Sequence, residues 1–334
     1  DKKELVKRMG IGVIFSDPLA QMYLSTKVRE KKPGDSKKLH TKYLAEMRIG
    51  IENADYYYLL KVLKRAVNDF NSISVREGQI PRIGVVGEIF VKYNFFSNGN
   101  LIEWLAGHGV EVILPCLQNF FIQRFINETF DQKMLFKQSF IDIIKTRMLD
   151  LYTSYHLYQI DRVMQEFRFY KKPFNLKDLA EITGDVVNLA NQFGEGWLLT
   201  AEMIAMLEHG TGNIICLQPF GCIANHITGR GMERKLKEMY PYFNLLSLDM
   251  DAGASEVNIL NRLHFMIISA KEEMVYGHEP DVQHQEHRYF QIPRFGPMER
   301  VVLDNYLSPD LEKWKTWVSG LGLWKKANEF IKRY

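Results

Sequence analysis

Across residues 39–70 apolar side chains recur at three- and four-residue spacing. That period lines one face of a helix and predicts helix here. Tyr56, Tyr57 and Tyr58 sit in its middle and read as a packing face rather than a site. The charged break at 31–38 (KKPGDSKK) precedes it, residues 1–76 read as mostly helical, and 76–81 (REGQIP) reads as a linker. The pattern then changes. Residues 82–88 contain IGVVGE and 110–114 read VEVIL, short β-branched runs of the kind that parallel strands buried on both faces require. Between them 101–106 predicts a helix closed by Gly107 and Gly109. Residues 117–209 read as helix almost throughout, with Phe120, Phe121, Phe125, Phe130, Phe136 and Phe140 marking core. Breaks fall at Lys172–Pro173 and at Gly194–Glu195–Gly196, the latter directly before a helix at 197–208. Apolar runs resume at 213–217 and 245–248.

The expected architecture is therefore α/β, with a four-stranded parallel, Rossmann-like sheet (83–87, 110–114, 213–217, 245–249). Residues 1–77 form a helical N-terminal segment. An α/β domain covers 78–290 with a helical insertion at 117–209, and 291–334 make a C-terminal helical tail. Residues 278–297 are polar and irregular, and 309–333 read as a helix rich in Trp and Lys. Both turns in 213–258 leave the carboxyl ends of strands, where open α/β sheets place ligands. Gly84 and Gly87 do not make a dinucleotide-binding fingerprint.

With 43 Lys and Arg against 40 Asp and Glu, the net charge of +3 gives no general pull towards nucleic acid, and no aromatic-and-basic tract adds one. No apolar run approaches the roughly 20 residues that a membrane span needs. The opening residues are charged with no apolar core behind them, so no signal peptide is expected. The chain opens on Asp1 rather than Met, which fits a piece of something longer. Three cysteines are too few for a disulfide framework and point to a reducing cytoplasm.

Those cysteines are the first candidates for chemistry. Cys116 follows a strand and a proline, Cys216 ends the third strand, and Cys222 follows six residues later, past a glycine turn. With all strands parallel, the three thiols fall near one edge of the sheet. Iron–sulfur clusters are held by thiolates and need no adjacency in sequence, whereas zinc would want a fourth ligand, for which His226 is the nearest candidate. The plainer reading is three small buried hydrophobes. Glu195, between two glycines at a helix mouth, is either a proton carrier or a favourable charge at that helix N-terminus. Asn225 and His226 open the next helix and offer either an anion site for a CoA phosphate or carboxylate, or ordinary capping by Asn225. Gly229 and Gly231 would let another backbone come close to this helix. Asp249 and Asp251 flank a glycine turn that suits a metal or a ribose, and Ser255 reads as a cap. There is no P-loop, GxSxG or HExxH.

Four stretches, RIGVVGEIFVKYN (82–94), GEGWLLTAEM (194–203), CLQPFGCIANHITGRGMERKLKEMYP (216–241) and DMDAGASEVNILNR (249–262), resemble in the same order the proteins related to 2-hydroxyacyl-CoA dehydratases and their ATP-dependent activators. The resemblance covers roughly residues 80–270. It implies a [4Fe-4S] cluster held by three cysteines with one iron open, for which Cys216, Cys222 and Cys116 are the metal ligands and Asn225 lies beside the cofactor. Glu195 and His226 would then face the substrate, His226 donating to a cluster sulfide or a thioester oxygen. It further implies an ATP-dependent activator domain or subunit that delivers one low-potential electron, a CoA-thioester substrate, and a lyase reaction in which a ketyl radical eliminates the 2-hydroxyl. A homo- or hetero-oligomer fits the same picture. The activator's own phosphate-binding motifs are not in this sequence. The other reading is a non-catalytic docking or scaffold domain that keeps the sheet and holds no cluster.

Overall fold

The computed structural model describes residues 2–133, 140–251 and 253–276. The chain divides into a unit of residues 8–290 and a second of residues 1–7 with 291–334. The expected C-terminal helical tail and the polar stretch 278–297 lie outside the described residues.

Three helices come first: α1 (Lys2–Lys27), α2 (Asp35–Glu52) and α3 (Tyr56–Ser72). The single period read across 39–70 is two helices, because Asp55 takes the Tyr58 N–H on its side chain at 2.9 Å and starts a new one. Then follow β1 (Arg82–Gly87), α4 (Ile89–Tyr93), α5 (Leu101–Gly107) and β2 (Glu111–Ile113). Helices α6 (Gln118–Lys133), α7 (Phe140–Met164), α8 (Leu176–Gly184) and α9 (Trp197–Glu208) lead to β3 (Asn213–Pro219). The short α10 (Ile223–Thr228), a 3-10 turn (Arg230–Met232), α11 (Glu233–Met239), β4 (Asn244–Met250) and α12 (Glu256–Tyr276) complete the described chain.

All four strands are parallel, in the order β2-β1-β3-β4. The alternation of side chains along β1 and β3 sends Val86, Ile214 and Cys216 to one face, against Leu199, Met203, Leu207 and Leu236. Ile83, Val85, Ile215 and Leu217 go to the other, against Leu105, Leu263, Met266 and Ile267. Both faces are covered, which is why the strands read as unbroken apolar runs. A separate core joins Phe15, Leu19, Met22, Leu63 and Phe70 of the first helices to Ile160 and Met164 of α7. Within the stretch read as a helical insertion, α9 packs directly on the sheet and ten of its twelve residues are buried.

Candidate functional site at the carboxyl edge of the sheet

From the central pair β1 and β3, the chain continues outward to β2 on one side and to β4 on the other. The carboxyl ends of β1 and β3 therefore flank a topological switch point, where open α/β sheets leave a crevice. Gly87 closes β1 with φ 132°, and a Cβ there would lie 1.9 Å from the Leu217 carbonyl oxygen. Only glycine lets the two backbones come this close, and it positions the Glu88 N–H to donate to Leu217 O at 3.0 Å.

Two carboxylates converge on the turn that follows. Glu88 accepts from Val91 N at 2.8 Å, and Glu195, only 4% exposed, accepts from Ile89 N at 2.7 Å. The Glu195 carboxylate therefore does not cap the helix it precedes, which takes only its backbone carbonyl, from Leu198 N at 2.9 Å. Its loop is turned by Gly196 (φ 50°), where a Cβ would meet Asn191 O at 2.1 Å, and the carboxylate crosses to cap α4 instead. From α6, Asn127 Oδ1 accepts from the Trp197 indole N–H at 2.7 Å and holds the far side of this loop.

Beneath the turn lies an ion pair that sequence reasoning missed. Lys92 Nζ and Glu202 Oε2 are 2.8 Å apart, with the residues 2% and 5% exposed. Burial pushes the Glu202 carboxyl above its usual range, with Lys92 pulling the other way and Glu195 adding to the rise. The signal was present: a carboxylate in the middle of a largely apolar helix (WLLTAEMIAMLE) has to find a charge partner when that helix is buried all round. A further carboxylate, Asp17 of α1, accepts from Leu117 N at 2.8 Å and Gln118 N at 3.1 Å at the start of α6. Burial raises it to about 7, against those two hydrogen bonds and Lys92.

Two of the three thiols, Cys116 and Cys216, feel this pair. Cys216, fully buried, stands between Val86 and Ser247 in the sheet, and a Cβ on Gly229 would come within 3.3 Å of its Sγ. Burial pushes its thiol up to about 12, with Lys92 opposing and Glu202, Asp249 and Cys222 adding. Burial also holds the partly buried Cys116 well above the ordinary thiol range, with Asp17 and Glu202 adding and Lys92 opposing. Cys222 is partly exposed and occupies the N-cap of α10. Lys92 and Glu202 thus act on both Cys116 and Cys216, and Cys222 acts on Cys216. Among the described residues, no three His, Cys, Asp or Glu side chains are grouped so as to hold a metal ion. With Cys216 turned into the apolar core as a protonated thiol, the thiols present here do not close a metal shell by themselves.

The cap assignment changes as well. Because α10 begins one residue after Cys222, Asn225 lies inside the helix, fully buried, and its amide donates to Leu217 O at 3.3 Å. Its Oδ1 has no hydrogen-bond partner, nor does Oε1 of the buried Gln218, whose amide donates to Asp249 Oδ1 at 2.5 Å. Asp249 is accordingly a strand residue paired with Gln218 rather than part of the turn. His226 is partly buried on α10, its backbone N–H donating to Cys222 O at 3.0 Å. Asp251 is exposed, and Ser255 Oγ accepts from Asn258 N at a long 3.5 Å, a loose form of the expected cap. Around the rim Phe90, Phe193, Phe220 and Ile223 are exposed.

Comparison with protein-family models, curated proteins and solved structures finds no match. The crevice must be read from its own residues. No helix among the described residues is long and apolar enough to cross a membrane.

Proposed function

We propose that this chain is a Rossmann-like iron–sulfur component, or domain, of a system related to 2-hydroxyacyl-CoA dehydratases and their activators. In this reading it works with an ATP-dependent activator and passes a low-potential electron to a small CoA-thioester substrate. One observation carries the reading: Cys116 and Cys216 share the electrostatic neighbourhood of a single buried ion pair beside the switch point, and Cys222 acts on Cys216. A metal cluster there requires further thiolates from residues beyond those described or from another chain. Cys222, partly exposed at the rim, is the ligand this chain offers most directly, and Cys116 and Cys216 lie behind it. The chain's own residues supply the frame. Glu88 and Glu195 fix the first turn of α4, α4 carries Lys92, and the Lys92 ammonium is a positive charge held in place by Glu202.

The exposed Phe90, Phe193, Phe220 and Ile223 favour a second reading, in which the same edge is a docking face of a scaffold domain without a cluster of its own. Anaerobic purification of the longest native form, with iron and sulfide measured, separates the two. The cluster reading expects several irons per chain, visible charge-transfer absorbance, and loss of both in Cys222→Ser. Iron-free protein that is unchanged by Cys222→Ser removes the cluster reading and leaves the docking one.

A further inference from the structure

At the opposite, amino-terminal edge of the sheet, cations gather on the β2 carboxylate Glu111. Arg82 and Glu111 open β1 and β2 and stand opposite each other in register. Glu111 is buried, and its Oε2 receives both Arg29 Nη2 at 2.9 Å and Lys171 Nζ at 3.1 Å. The Arg82 guanidinium donates to the carbonyls of His209 and Gly210 at 3.2 and 3.0 Å. Carbonyls satisfy its hydrogen bonds but leave its charge in place. Three cations around one carboxylate leave a formal excess of two positive charges.

The neighbours register that excess. Lys171 falls to about 8, through burial first, with Arg82 and Arg29 pushing the same way against Glu111. His209 falls to about 4, again through burial, with Lys171 and Arg82 adding to it. The Lys171 Nζ is buried, within ion-pair distance of Glu111 but without a hydrogen bond, so it has donors left to offer, and the side chains of Arg29 and Lys171 remain 15% and 27% exposed.

We propose that Lys171 and Arg82, braced by Arg29 and Glu111, form an oxyanion site that takes the phosphate group of a small molecule. A dianion matches the excess of two, which a single carboxylate does not. Guanidinium and ammonium groups together give the forked and point-charge contacts that phosphoryl oxygens accept. This site lies at the other end of the sheet from the cysteines and does not depend on their role. Its source is either free phosphate or a nucleotide-type phosphate.

Calorimetric titration of the whole chain at low ionic strength, with inorganic phosphate, ADP and acetate in separate arms, tests it. Phosphate is expected to bind and acetate at equal concentration not to bind. ADP binding tighter than phosphate assigns a nucleotide source, and equal affinity assigns the phosphate group alone. Lys171→Met is expected to weaken phosphate at least ~10-fold while Arg29 still neutralises Glu111. Sulfate, a dianion throughout, should bind the native chain more weakly as pH rises through about 8, when Lys171 gives up its proton. That arm decides the matter if the variant does not fold. Absence of binding by both phosphate and ADP, equal binding of acetate, equal affinity in Lys171→Met, or a pH-independent sulfate affinity would each overturn the assignment.

Discussion

The two ends of this parallel sheet each bury a glutamate against a lysine, and the two carboxyls shift in opposite directions. At the carboxyl edge Glu202 has one close cation, Lys92, with Glu195 adding negative charge, and burial prevails, raising it. At the amino edge burial also pushes Glu111 up, but Lys171 and Arg29 together outweigh it and hold it at about 2. A buried carboxylate's shift therefore reports burial set against the charges around it. One end holds a glutamate with a single cation, the other a glutamate with two.

The comparison is broken most forcefully at the single-cation end. Lys92→Met leaves Glu202 buried without its cation and is expected to cost about 3–5 kcal/mol in denaturant unfolding. The double change Lys92→Met with Glu202→Leu should recover most of that, since a buried pair is replaced well by apolar groups of similar size. A double variant as unstable as the single one would show that the pair does more than neutralise itself. Glu111→Gln should cost less, about 1–3 kcal/mol, because the side chains of the two cations it releases are less buried than those of the Lys92–Glu202 pair.

Acid sharpens the contrast through the signs. Glu111 is depressed from its ordinary 4.5 to about 2, so its contribution is present above about 4.5 and is lost as pH falls through about 2. The gap between Glu111→Gln and the native chain should therefore shrink on acidification below about 4.5. Asp17, near the single-cation end, is raised from 3.8 to about 7, so its contribution is present below about 4 and is lost as pH rises towards 7. Relative to Asp17→Asn, the native chain should lose stability across that window by roughly 1 kcal/mol per pH unit at most. Parallel pH profiles for the two variants would contradict the opposite signs. Ser255→Ala, outside both ion-pair clusters, should change stability by less than ~0.5 kcal/mol given its 3.5 Å contact.

The sheet was legible in the sequence because strands covered on both faces must be apolar throughout, and 82–88, 110–114, 213–217 and 245–248 are such runs. The strand order was not, since nothing local in a strand states its neighbour. The period across 39–70 hid the break at Asp55, an ordinary cap within an otherwise periodic stretch. For the site, Cys222 and Glu195 were picked out by their motifs, yet the partner of Glu195 was not, because its hydrogen bond spans 106 positions. Lys92 and Glu202 escaped notice because each is a charge set among apolar neighbours. Such a residue advertises a missing mate without naming it.

The bond from Glu195 to Ile89 has a consequence for how the molecule accommodates change. The excursion between the neighbouring strands β1 and β3 runs through β2 and the helices α4 to α9, and near its far end Glu195 returns to brace the first turn beyond β1. Lengthening a loop anywhere on that excursion is harmless only while the return point keeps its position. A shift of one residue at Gly194 would pull the brace from α4, and the lysine that α4 carries would lose its bearing on the sulfur atoms of Cys116 and Cys216.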